Sequence, residues 1–196
     1  MQARVSTMVL VGAAALLVAG SQAQQPNPLD AVPDNMPFDV PYGTPISLDK
    51  ADAAIAAAVA EGHKHNWKMN VAVVDSGGSL VAFKRMDGAQ LASIQVSEHK
   101  ARAAARYRRE TKIFENAIQL SNFHYVATLD DVVASRGGIP LIEGGKLIGA
   151  IGCSGGTGSQ DEVVCKAGAI VAARGALPAL EGAAVRMPEG ALSSHS

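Results

Sequence analysis

Two apolar segments, each reversed on a glycine pair, constrain this chain more than anything else in it. Val71-Ala72-Val73-Val74 runs into Asp75-Ser76-Gly77-Gly78 and resumes from Leu80 to Lys84. Ile139-Pro140-Leu141-Ile142 runs into Glu143-Gly144-Gly145-Lys146 and resumes from Leu147 to Gly152. Glycines between strand formers make tight reversals, so both segments read as β-hairpins with no crossover helix between their strands. Both faces of Val71 to Val74 are apolar, which places that strand inside a sheet covered on two sides, by helices or by another subunit. Helical spacing of Ala51, Ala54, Ile55, Ala58, Val59 and Gly62 behind Ser47 predicts a first helix over 48–65. Residues 91–109 and 111–119 read as two further helices. Ser159 to Arg174 reads as a last one, with Asp161 and Glu162 in the first turn where negative charge suits the helix dipole. The order α-β-β-α-α-β-β-α predicts an α+β fold, an antiparallel sheet flanked by helices.

The ends of the chain have a different character. Residues 1–23 carry one charge, Arg4, then an apolar run from Met8 to Ala19 and the sequence Ser21-Gln22-Ala23. That is the pattern of a secretory signal, and the apolar run is too short to span a bilayer. No other stretch is long enough, so the mature chain is expected to have no membrane span and to be periplasmic or secreted. Residues 24–45 hold Pro26, Pro28, Pro33, Pro37, Pro41 and Pro45 and read as an extended arm. Residues 177–196 read as a tail, leaving a folded domain at 46–176. The 17 basic and 18 acidic residues give a net charge of −1, which disfavours nucleic acid as a partner. Two-sided apolar strands in a small chain leave surface for a homo-oligomeric interface. Export would place Cys153 and Cys165 in an oxidising compartment. A disulfide between them is allowed but not implied, and each position also suits a small buried apolar side chain.

Several residues have chemistry to offer. On a wheel of the helix at 91–109, Gln95, His99, Arg102, Arg106 and Arg109 form one stripe opposite Ile94, Ser97, Ala101, Ala104 and Ala105. The stripe is either a solvated charged face or an anion-facing surface. Lys100 falls at the edge of the apolar face, where it either snorkels or binds a carboxylate in a pocket. Arg85 and Asp87 leave the first hairpin and either pair with each other or face a ligand. Gly155 and Gly156 lie in a loop before a helix, which serves either backbone turning or an anion held on backbone amides. The loop lacks the spacing of a phosphate or dinucleotide motif. No pair of histidines has metal-site spacing, although haem needs only one or two protein ligands, for which His63, His65 and His99 are candidates.

Together these stretches resemble the GlcG/HbpS-like proteins, a family that includes the C-terminal domain of PduO-type proteins. The resemblance rests on Val71 to Gly78, Arg85-Met86-Asp87-Gly88-Ala89, Lys100-Ala101, Gly137 to Leu141, and Gly149 to Gly156 with Gln160-Asp161. It covers about residues 46–175. It implies a profilin-like α+β fold with a five-stranded antiparallel sheet, oligomer formation, and in several members haem binding linked to redox sensing. Cys153 and Cys165 depart from the usual pattern of the family. The expectation is an exported haem- or tetrapyrrole-binding protein without catalysis of its own. Its alternatives are an enzyme or accessory acting on a small hydroxy or keto acid, with Lys100 and Arg85 as carboxylate anchors, and a structural partner of a periplasmic oxidoreductase.

Overall fold

The computed structural model describes residues 27–173 apart from Pro37, so the expected signal segment 1–23 and the tail 177–196 lie outside the described residues. The chain divides into two units at Met36. In the first, Pro28–Asp30 forms a 3-10 turn, and the Leu29 N–H donates to Asn27 Oδ1 at 3.0 Å.

The second unit holds α1 (Leu48–Lys64), β1 (Asn70–Asp75), β2 (Leu80–Arg85), α2 (Ser93–Arg106), α3 (Lys112–Gln119), β3 (Gly138–Glu143), β4 (Lys146–Ser154) and α4 (Gly158–Ala173). Both hairpins form, and β1 joins β4 antiparallel, giving the order β2-β1-β4-β3. The expected fifth strand is not present among the described residues. In its place, residues 41–46 run beside the start of β4. Gly43 donates to Leu147 O at 2.7 Å, Leu147 to Pro41 O at 2.8 Å and Ile46 to Ile148 O at 2.8 Å, with a single parallel bridge from Tyr42 to Leu147. Pro41 and Pro45 have no N–H to extend that pairing into a ladder. The end of the expected arm is therefore hydrogen-bonded to the sheet.

The alternation along β1 sorts the interior into two layers. Val71 and Val73 pack with Ala51, Ala54, Ile55 and Ala58 of α1 and with Val164 and Cys165 of α4. Ala72 and Val74 pack with Ala101, Ala104 and Ala105 of α2. A strand apolar on both faces thus has helices on both, as its composition requires. The α2 layer sits very close to the sheet. A Cβ on Gly152 would lie 2.0 Å from Ser97 O, and one on Gly138 would lie 2.3 Å from Lys100 O, so any side chain at either position would push the helix away.

The two cysteines are bonded to each other, 5.6 Å apart at Cα. Both are fully buried, so the apolar role and the disulfide coincide; the bond ties the middle of the sheet to α4. At the start of α4, Thr157 N–H donates to Gln160 Oε1 at 2.8 Å and Gln160 N–H to Thr157 Oγ1 at 3.4 Å, a reciprocal capping box.

Candidate functional site

Where α1 ends, the backbone reverses. Trp67 N–H donates to Gly62 O at 2.9 Å and Asn66 N–H to His63 O at 3.1 Å, with Asn66 left-handed at φ 54°. This is a Schellman turn, and Asn is among the few side chains that accept its left-handed position readily. It sends Trp67 and Lys68 back past the helix end toward β1. There Met86 N–H donates to Met69 O at 3.0 Å, so the exit of β2 stays beside the entrance of β1. Between helix end and hairpin end lies an open cleft of about 420 Å3, lined by Val59, His63, Asn66, Trp67, Lys68, Lys84, Arg85, Met86 and Asp87.

The cleft brings together three of the residues singled out from sequence, His63, Arg85 and Asp87. Arg85 and Asp87 are exposed and form no ion pair with each other; none of Lys68, Lys84, Arg85 or Asp87 is ion-paired within 4.0 Å among the described residues. Three cations against one carboxylate leave the cleft positive, with an exposed imidazole at its wall, while the Met86 sulfur is buried and accepts from Met69 N–H at 3.4 Å. Lys68, Lys84 and Trp67 were not legible as site residues. Lys84 joins through the register that sets Val71 opposite it, and Trp67 and Lys68 through the turn after α1, neither of which the hairpin pattern alone points to.

The other candidates lie elsewhere. His65 stacks on Trp67 with ring centroids 4.3 Å apart and contacts Glu61 at 3.1 Å. His99 is exposed on α2, on the opposite side of the sheet from α1. Arg102 and Arg106 do face an anion, but it is the chain's own Asp131, 3.7 Å from Arg102 and hydrogen-bonded to Arg106. Arg109 leaves the stripe altogether, because α2 stops at Arg106 where a helix to 109 was expected.

Lys100 is 1% exposed, and neither of its expected roles describes it. Its Nζ donates to Asp161 Oδ2 at 2.7 Å and to Cys153 O at 3.3 Å. The carboxylate it binds belongs to α4 and is equally buried, so Lys100 neither snorkels nor reaches a pocket. Burial pushes the Asp161 carboxyl above the usual range, against the opposing pull of Lys100 and of the loop amides. The glycine loop serves the same carboxylate. Gly156 N–H donates to Asp161 Oδ1 at 3.1 Å, and Gly155 lies so close to the Lys68 carbonyl that a Cβ there would be 2.2 Å from it. The anion on these amides is internal.

A haem group tests this geometry by its needs: a nitrogen or sulfur ligand, cations for two propionates, and an apolar wall. His63 fits the first, Lys68, Lys84 and Arg85 the second, and Val59 and Trp67 the third. An open cleft of this size takes one edge of a macrocycle and leaves the rest uncovered.

Known proteins agree with this architecture. The chain is 42% identical over 109 residues to Protein GlcG of Escherichia coli K12, covering 56% of this chain and 81% of that relative. It is 35% identical over 124 residues to a 15.0 kDa protein of Citrobacter freundii, covering 62% and 87%. Among solved structures, Klebsiella pneumoniae protein ORFY superposes with a TM-score of 0.63 at 26% identity, covering 70% of this chain and 97% of that one. A PduOC:haem complex superposes at 0.60 with 26% identity, covering 65% and 95%. Residues 46–170, nearly the whole domain predicted from sequence, match the family described as haem degrading protein HbpS-like, and the chain belongs to that HbpS-like family.

Proposed function

We propose that this protein is an exported haem-binding protein, and that the cleft at the end of α1 is where it holds the edge of a tetrapyrrole. The observation that carries the reading is the coincidence, in one cleft, of an exposed His63 with the cations Lys68, Lys84 and Arg85, which have no ion-pair partner among the described residues. The PduOC:haem complex among its structural neighbours supports it. His63 would offer a nitrogen to the iron, and the cations would hold the propionates by charge-assisted hydrogen bonds. Bound haem supplies a redox-active iron, consistent with a redox-related role. The alternative with Lys100 and Arg85 as twin carboxylate anchors loses its first anchor to Asp161.

Hemin titration followed at the Soret band is the test. His63→Ala should lose or shift the band, while His65→Ala and His99→Ala leave it unchanged. Lys84→Gln combined with Arg85→Gln should weaken hemin roughly tenfold or more. Wild-type affinity and spectrum in His63→Ala would overturn the assignment. Bleaching of bound hemin under reductant and oxygen would separate degradation from simple binding.

A further inference from the structure

A second cleft, of about 390 Å3, opens where Phe38, Arg109, α3 and the segment after it meet. Its one cation arrives there through a chain turn. Arg109 N–H donates to Ala104 O at 3.2 Å and Arg108 N–H to Ala105 O at 3.3 Å, with Arg108 left-handed at φ 54°. This second Schellman turn closes α2 and swings Arg109 off the helical stripe. The Phe38 ring then covers the guanidinium, its centroid 3.1 Å from Cζ, with the Phe114 ring at 5.4 Å.

Stacking occupies the face of a guanidinium and leaves its in-plane N–H edge for other partners. Within the chain that edge is barely used. Nε donates to Tyr107 O at 3.0 Å, and no carboxylate among the described residues pairs with Arg109. Arg109 is half-buried and lines the cleft, and its Nη groups have no hydrogen-bond acceptor among the described residues. Partial burial lowers the Arg109 pKa from its ordinary value, the mark of a cation partly removed from water. Phe114 and Val126 form the buried floor, and the half-buried Phe38 and Phe123 offer ring surface beside the cation. An anion with a flat apolar body would satisfy both features at once.

We propose that this cleft binds a small aromatic carboxylate, its charge on the guanidinium of Arg109 and its ring against Phe38 and Phe123. Phe38 precedes residues 46–170, so part of the site lies outside the residues that the family model matches. The site shares no residue with the His63 cleft and stands independently of haem binding.

Isothermal titration with 4-phenylbutyrate and with its neutral amide, 4-phenylbutanamide, tests the proposal. The acid should bind at least tenfold tighter than the amide, and Arg109→Gln should erase that preference. Phe38→Ala should weaken both ligands and keep the preference. Saturation with hemin should leave the phenylbutyrate affinity unchanged. Equal affinity for acid and amide, no binding of the acid at millimolar concentration, or displacement of the acid by hemin would each overturn it. Melting curves report whether Arg109→Gln folds; if it does not, undiminished acid binding by Phe38→Ala is the overturning result.

Discussion

Removing the charge of Lys100 leaves Asp161 as a carboxylate without a cation, in an interior that excludes water. Breaking a buried pair on one side costs about 3–5 kcal/mol, whereas replacing both charges is far milder. Lys100→Met should therefore lower stability by about that amount, and Lys100→Met with Asp161→Asn should recover most of it, since Asn still offers an oxygen to the Gly156 amide. Urea unfolding of the two variants measures this. A single variant as stable as the wild type would mean that Asp161 takes its proton at no cost. The position of Lys100 at the edge of an apolar helical face was legible in the sequence, and so was its incompatibility with full solvation. Its partner was not, because Asp161 was legible only as a first-turn acid of α4. Nothing local shows that β4 brings that turn over α2.

Arg136 joins two helices that are distant in sequence. Its Nε donates to Glu115 Oε1 of α3 at 2.8 Å, its backbone N–H to Glu115 Oε2 at 2.7 Å, and its Nη1 lies 3.5 Å from Glu162 of α4. The Arg136 hydrogen bond holds the Glu115 carboxyl below its ordinary value. At Glu162 burial pulls upward, but the hydrogen bonds from Lys166 and Lys112 outweigh it, and its pKa is lowered too. Carboxyls with lowered folded values stabilise fully above the unfolded pKa, here about 4.5, and lose that contribution as pH falls through the folded value. The melting temperature should accordingly drop on acidification from about pH 5 to about pH 3, and the profile of Glu115→Gln with Glu162→Gln should be flatter over that window. Parallel profiles would show that these two carboxyls carry none of the stability lost in acid. The elements themselves were legible wherever a signal was local: the first helix from apolar spacing, the last from the acids of its first turn, and two hairpins from glycine pairs. The end of α2 was not, because its left-handed residue is Arg108 and no glycine marks the turn. The fifth strand implied by resemblance gives way to a proline-interrupted segment with one bridge.

At the scale of the whole molecule, the candidate site was half legible. His63, Arg85 and Asp87 stood out as residue types, but which histidine lines the cleft depended on the side of the sheet that α2 covers, which takes His99 away, and on the turn after α1, which stacks His65 on Trp67. The same layering leaves the outer face of α4 apolar, with Val163 45%, Ile170 52% and Val171 37% exposed. Spaced seven and eight residues apart on one helix, they form a single stripe beside α1, the helix whose end carries the proposed haem cleft. An open cleft that covers only one edge of a macrocycle leaves apolar ligand surface in water, and a second subunit would remove both exposures together. Light scattering of the protein should give a mass at least twice that of the monomer. Val163→Lys with Ile170→Lys should reduce that mass without changing the circular dichroism spectrum, and hemin affinity should fall with it if the partner completes the cleft. A monomer at micromolar concentration in the wild type would remove the second subunit from the account, leaving the His63 cleft to bind its ligand alone.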